Sequence, residues 1–124
     1  STTGLLGMYK AAANVDEKID GREFFRRLDT DVIAQTTLDA FSGNIAKQIY
    51  NLYWLLDLEK VAIGGGISRQ PILAKTINDK LNEFKTTGPF AKFLPQMNVE
   101  VVQAKFGNEA NQIGALMTYI EENN

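Results

Sequence analysis

Apolar residues recur at helical spacing through the middle of the chain and give its longest predicted element. The six residues that set this spacing, at intervals of three or four, are Leu38, Phe41, Ile45, Ile49, Leu52 and Leu56. The pattern predicts one buried helix face, held for about five turns, beginning after residues 29–31. Further apolar residues widen the stripe at both ends, so we expect other parts of the protein to pack against more than one side of this helix. Gly43 costs this helix about 1 kcal/mol relative to alanine unless something packs closely against it.

Two shorter helices are predicted ahead of this one. Residues 1–3 supply N-caps for a first helix with apolar residues on one side, and Asn14 is suited to end it. Asp20 and Glu23 have the spacing of a capping box, in which Glu23 reaches back to the cap residue. A short helix should run from there to about Leu28.

A buried strand is predicted to run directly into three glycines. Residues 61–63 are apolar on both faces, as in a parallel strand covered on both sides. Residues 64–66 remove every Cβ from the turn, so a ligand can approach the backbone. Ser68 is suited to cap the helix that follows, and Pro71 is tolerated in its first turn. Apolar residues at helical spacing from Ile72 to Phe84 extend that helix.

The order strand, bare turn, helix is typical of an anion site, because free N–H groups at a helix N-terminus favour phosphate. The alternative is a tight strand-to-helix turn that binds nothing, and three glycines alone do not decide between the two. Their spacing matches neither the dinucleotide-binding fingerprint nor the P-loop.

The whole chain has the predicted order α-α-α-β-α-β-α, which places it in the α/β class. Residues 99–104 form the second strand and residues 109–121 the last helix. Strands that alternate with helices imply a parallel sheet with right-handed crossovers. Two strands are too few for an independent sheet, so we expect residues 1–124 to be one part of a larger domain.

Composition excludes several kinds of site and partner. The 124 residues contain no cysteine and no histidine, which excludes disulfides, His/Cys zinc sites and Ser-His-Asp triads. Asp16, Glu17 and Asp20 lack the ordered spacing of a Ca²⁺ loop, and we predict no metal site. The lack of cysteine fits a reducing cytosol, so we expect a cytoplasmic protein. A net charge of −2 argues against a nucleic-acid partner, and the lack of long apolar runs against a membrane span. The start at Ser1 predicts a processed or excised segment.

Several segments together resemble the C-terminal part of ROK-family proteins, which are repressors, open reading frames and sugar kinases of the actin-like ATPase superfamily. The segments are residues 58–68, the helix after them, the strand at 99–104 and residues 107–115. Residues 1–6 also resemble the segment that follows the family's Cys-rich zinc motif. The resemblance implies a partial ribonuclease-H-like (actin-like ATPase) domain, with a small parallel sheet flanked by helices.

The resemblance also implies roles for the glycine turn. Gly64, Gly65 and Gly66 would lie against the phosphate or ribose of ATP, and Ile67 and Ser68 would border the adenosine. The family's catalytic Asp, sugar-binding residues, first phosphate loop and zinc ligands lie upstream and have no match here. We therefore expect the C-terminal segment of an ATP-dependent hexose kinase. It would hold ATP with Mg²⁺, carry no catalytic residue, and be inactive alone.

Two other functions stay open on the sequence. One is the sugar-sensing domain of a ROK-type transcriptional repressor, and the other is a helical association domain whose glycines merely form a turn. ROK proteins are commonly dimers or tetramers, and the long helix is apolar on more than one side. We therefore expect a homodimer, with Trp54 in the core or at the subunit interface.

Overall fold

The computed structural model describes residues 2–64, 66–87, 91 and 99–103 of the chain. In order, its elements are α1 (Thr2–Ala13), α2 (Gly21–Arg27), α3 (Val32–Leu56), β1 (Lys60–Ile63), a 3₁₀ turn (Gly66–Arg69), α4 (Pro71–Thr87) and β2 (Glu100–Gln103). Over these residues the fold is mixed α/β with four α-helices, so the predicted α/β class is confirmed at that level. The predicted helix at 109–121 lies outside the described residues.

The first two helices begin or end at the residues that their caps predict. Asn14 follows α1 in the left-handed conformation, with φ 54°. The Asp20 carboxylate accepts from the N–H of Glu23 at 2.8 Å at the start of α2. An N-cap of this kind stabilises a helix by about 1 kcal/mol. The other half of the predicted capping box is wrong, because both Glu23 carboxylate oxygens accept from Arg26 and Arg27 instead.

A polar cluster joins α1 and α2 to the start of α3; its members are Tyr9, Glu17, Glu23, Arg27 and Asp31. The Tyr9 ring is buried, and its hydroxyl donates to Asp31 at 2.5 Å and accepts from Arg27 at 3.0 Å. Arg27 also pairs with Glu17 and Glu23, each at 2.9 Å. The Tyr9 hydrogen bond lowers the pKa of the Asp31 carboxyl. Asp31 therefore stays ionised while it caps α3.

The core lies where α3 packs against α1 and α4, and both strands join it. The buried side chains of α3 include Leu38, Phe41, Ile45, Ile49 and Leu52, which confirms the predicted face. Those of α4 are Leu73, Ile77 and Leu81. Ile72 was predicted on the same face of α4 and is 41% exposed, so that part of the prediction is wrong.

The C-terminal end of α3 carries a group of aromatic and apolar side chains, called here the aromatic end of α3: Tyr50, Tyr53, Trp54, Leu55 and Leu56. The Trp54 ring meets those of Tyr50 and Tyr53 edge-on, at 6.0 and 5.6 Å between centroids. Trp54 is 55% exposed, Leu55 75% and Leu56 60%. The prediction that Leu56 continues the buried face is wrong. Asp57 follows it directly in the left-handed conformation and ends the helix.

The two strands pair in parallel, with Lys60 opposite Glu100 and Ile63 opposite Gln103, as the alternation of elements predicts. Val61, Ala62 and Ile63 are all buried, which confirms a strand that is covered on both faces. The second strand begins at Glu100, one residue later than predicted, and residue 104 lies outside the described residues. Among the described helices, none combines the length and apolarity that crossing a bilayer needs.

Gly43→Ala should stabilise the fold, because no contact among the described residues needs a glycine there. A Cβ at this position would have the Lys80 Cδ as its nearest neighbour, at an ordinary contact distance of 3.9 Å. Replacing a mid-helix glycine by alanine then gains about 0.5–1 kcal/mol in the free energy of unfolding. Equilibrium urea unfolding measures it. A less stable variant would show that α3 needs a closer approach at Gly43 than the structure has.

Stability should fall in acid through Glu23. Hydrogen bonds from Arg26 and then Arg27 lower the pKa of the Glu23 carboxyl from 4.5 to about 2. The carboxyl binds a proton more readily when the chain is unfolded, so its contribution is complete above pH 4.5 and is lost as pH falls towards about 2. Thermal unfolding followed by circular dichroism from pH 5 to pH 2 should show a shallower fall in Glu23→Gln. The matched control is Glu59→Gln, at an exposed glutamate outside the cluster. Identical slopes in Glu23→Gln and the wild type would contradict the assignment.

Candidate functional site

The glycine turn connects β1 to α4 through a short 3₁₀ turn. Gly64 follows β1, and Gly66 opens the 3₁₀ turn, which also contains Ile67 and Ser68. Gly65 lies outside the described residues. The turn is closed by a hydrogen bond from the N–H of Gln70 to the carbonyl of Ile67, at 3.1 Å. The predicted order of strand, glycines and helix is therefore present, with a 3₁₀ turn before the helix.

The prediction that Ser68 caps the following helix is wrong. The α-helix begins at Pro71, and the carbonyl that accepts its first hydrogen bond belongs to Gln70, from the N–H of Leu73 at 3.0 Å. The proline ring disfavours helical backbone at the residue before it, so α4 does not extend back through Gln70. Ser68 lies in the 3₁₀ turn instead. Pro71 occupies the first helical position, where its missing N–H costs nothing.

Ile67 fixes the turn against the N-terminal helices. Its side chain is buried and belongs to the core cluster. A Cβ built on Gly21, at the start of α2, would lie 3.7 Å from Ile67 and 3.7 Å from Thr2, near the start of α1. The beginnings of α1 and α2 therefore lie beside the glycine turn. The role of Ile67 at an adenosine stays a prediction, and its side chain packs against protein.

Gly64 is not explained by the fold of the described chain. A Cβ at this position would meet nothing within 4 Å, and the backbone is not in the left-handed region that favours glycine. Within the described residues, neither packing nor conformation therefore requires glycine at the end of β1. The described residues leave the space in front of the position open to a group that approaches the backbone closely.

The charges around the turn have one sign in sequence. Between Glu59 and Asp79 the chain contains no acidic residue, and its cationic residues are Lys60, Arg69 and Lys75. Arg69 ends the 3₁₀ turn and is exposed. Lys75 pairs with Asp79 at 2.7 Å, so Arg69 is the cation within the turn that favours an anion there. Arg69 was not among the predicted site residues. The signal that could have found it was this gap in the acidic residues.

Carboxylates do not gather elsewhere into a metal centre in the part of the chain that the structure describes. Residues 2–64, 66–87, 91 and 99–103 contain no group of three acidic side chains arranged to hold an ion. Glu17, one of the three acidic residues considered on the sequence, pairs with Arg27 at 2.9 Å. That contact gives it a structural role within the polar cluster.

Comparison with known families identifies the family of the chain. The ROK family matches residues 1–122, nearly the full length. The chain belongs to the ROK family. The resemblance noted from the glycine turn and the segments around it is thereby confirmed.

Curated relatives of this ROK-family chain include two kinases. It is 28% identical over 109 residues to a beta-glucoside kinase of Listeria monocytogenes, an alignment that covers 87% of the chain and 34% of the relative. The same values hold for a beta-glucoside kinase of Listeria innocua. The chain thus spans about a third of the length of the curated relatives that it matches. No solved structure is significantly similar to it.

Proposed function

We propose that the chain is the nucleotide-binding, C-terminal portion of an ATP-dependent sugar kinase of the ROK family. The intact protein would transfer a phosphoryl group from ATP to a sugar hydroxyl, with the catalytic base supplied from outside these 124 residues. The observation that carries the proposal is Gly64, for which the described residues give neither a packing nor a conformational reason to be glycine. A close approach by the phosphate or ribose of a nucleotide would be a reason for glycine at this position.

The proposed role of the turn is to position ATP rather than to react with it. Backbone N–H groups of residues 64–66 would face the phosphate or ribose, and Ile67 and Ser68 would border the adenosine. Phosphoryl transfer depends chiefly on such positioning and on charge stabilisation. Mg²⁺ would arrive with the triphosphate, since it is commonly held by substrate phosphates together with one or two carboxylates.

The two relatives favour a kinase over the alternative of a sugar-sensing repressor domain. Both are named as beta-glucoside kinases. We accordingly propose a hexose, or a glucoside of one, as the acceptor of the phosphoryl group, and the cytoplasm as its location. We also propose that β1 and β2 are part of a ribonuclease-H-like sheet of the actin-like type, which the family resemblance implies.

Gly64→Ala should separate nucleotide binding from folding. In the full-length protein we expect ATP affinity, measured by isothermal titration calorimetry, to fall about tenfold or more, because the new methyl group occupies the space of the ligand. The free energy of unfolding without nucleotide should stay unchanged or rise by up to about 1 kcal/mol, since alanine restricts the unfolded chain.

The control for this experiment is Gly7→Ala. Gly7 lies on the exposed side of α1, and a Cβ there also meets nothing within 4 Å. It should change stability in the same direction and leave ATP affinity as it is. Full ATP affinity in a well-folded Gly64→Ala protein would refute the nucleotide site. It would leave the glycines as a turn without a ligand.

We also propose that the intact protein is a homodimer in which the aromatic end of α3 contributes to the contact. Tyr50, Tyr53 and Trp54 form a continuous ring cluster, and large exposed apolar groups are uncommon on soluble monomers. Trp54→Lys should shift the full-length protein from dimer to monomer in sedimentation velocity at micromolar concentration. Val32→Lys, at a still more exposed apolar position on the other end of α3, is the control. A monomeric wild-type protein would contradict the proposal.

A further inference from the structure

The short helix α2 connects the polar cluster to the glycine turn. Its last residue, Arg27, belongs to the cluster, and its first residue, Gly21, lies beside Ile67 of the 3₁₀ turn. A Cβ built on Gly21 would be 3.7 Å from the Cγ2 atom of Ile67. Seven residues of α-helix form a stiff segment about 10 Å long, so a movement at one end of α2 also moves the other end.

Apolar packing holds α2 against α1. The Phe24 ring is fully buried and meets the Tyr9 ring edge-on, at 5.4 Å between centroids. Phe25 is partly buried against the core. A helix of seven residues is too short to be stable by itself, so its position depends on contacts with the rest of the chain. Apolar contacts are largely non-directional, and polar contacts set how far α2 slides or turns on α1.

Arg27 supplies these polar contacts. Its guanidinium donates to the Tyr9 hydroxyl of α1 at 3.0 Å and lies over the same ring, 5.8 Å from the centroid. It also pairs with Glu17, in the connection between α1 and α2, at 2.9 Å. The Arg27 side chain is 23% exposed, so water and salt screen its contacts less than those of a fully exposed pair. Arg27 therefore fixes α2 relative to α1 and to the connection that precedes it.

The neighbouring Arg26 makes a different kind of contact. It donates to both carboxylate oxygens of Glu23, at 2.8 and 2.6 Å, and its side chain is 72% exposed. Both residues of this pair lie on α2, so the contact does not tie the helix to another part of the fold. The two arginines thus share Glu23 as a partner and differ in what they connect.

We propose that Arg27 is a positioning residue for the nucleotide site and acts through α2, by holding Gly21 beside Ile67. Ile67 is buried and lies in the same 3₁₀ turn as Gly66, so its position sets that of the glycine turn. The inference rests on the proposed binding of ATP at this turn. A displacement of about 1 Å at a binding group is enough to cost up to about 100-fold in the positioning of a substrate.

Arg27→Gln and Arg26→Gln form a matched pair, since each removes one positive charge from α2 and one partner of Glu23. In the full-length protein, Arg27→Gln should weaken the binding of MgATP about tenfold in isothermal titration calorimetry, at a temperature at which circular dichroism shows the variant to be folded. Arg26→Gln should bind MgATP as the wild type does. A purely structural role for Arg27 would lower the unfolding midpoint and leave the ATP affinity of the folded protein unchanged.

Hydrogen exchange without nucleotide reports on the turn independently of ATP. The N–H of Gln70 donates to the carbonyl of Ile67 and closes the turn. In Arg27→Gln this amide should exchange about tenfold faster than in the wild type, because the turn has lost its support. The amide of Ile77, in the middle of α4, should change less, since it reports on the stability of the whole helix.

Wild-type ATP affinity, or wild-type exchange at Gln70, in folded Arg27→Gln would overturn the proposal, and so would equal effects of Arg26→Gln. If Arg27→Gln does not fold, Tyr9→Phe decides, because it removes a hydroxyl that accepts from Arg27 and keeps the ring. It should weaken MgATP binding about threefold, and unchanged affinity would again refute the role of Arg27. A wild-type protein that does not bind MgATP would instead refute the proposed function itself.

Discussion

The apolar face of α3 is the constraint on which the rest of the structure depends. It runs for 25 residues and cannot be left in water, so α1 packs against it from one direction and α4 from another. The position of α4 in turn sets where the 3₁₀ turn and the strands lie. The side-chain amide of Asn78 on that helix bonds both the N–H and the carbonyl of Val101 in β2, each at 2.8 Å. The candidate site is therefore positioned by core packing that begins several turns away from it.

Periodicity and local caps predicted most of the described fold. The face from Leu38 to Leu52, the cap at Asp20 and the parallel pairing of the strands all depend on residues close in sequence or on a regular repeat. These signals are strong because each rests on a geometric rule that any neighbouring structure has to satisfy. The location of the glycine turn between a strand and a helix was predicted from the local sequence in the same way.

The predictions that failed concern residues for which the sequence allows two competing roles. Glu23 was expected to reach back to its cap, but two arginines one turn ahead offer a charged partner. Ser68 was expected to cap α4, but Pro71 sets the first helical position. Leu56 fits the apolar stripe, yet it is the last residue of α3 and is 60% exposed. Asn78 gave no signal at all, since its partner lies 23 residues away.

Gly21 lies beside Ile67, so the position of the glycine turn depends on a part of the chain that is distant in sequence. Closing the intervening loop costs entropy that only the docking of α1 and α2 on α3 repays. A peptide that carries just β1, the turn and α4 would lack this brace. The geometry of the turn therefore belongs to the assembled domain rather than to the motif alone.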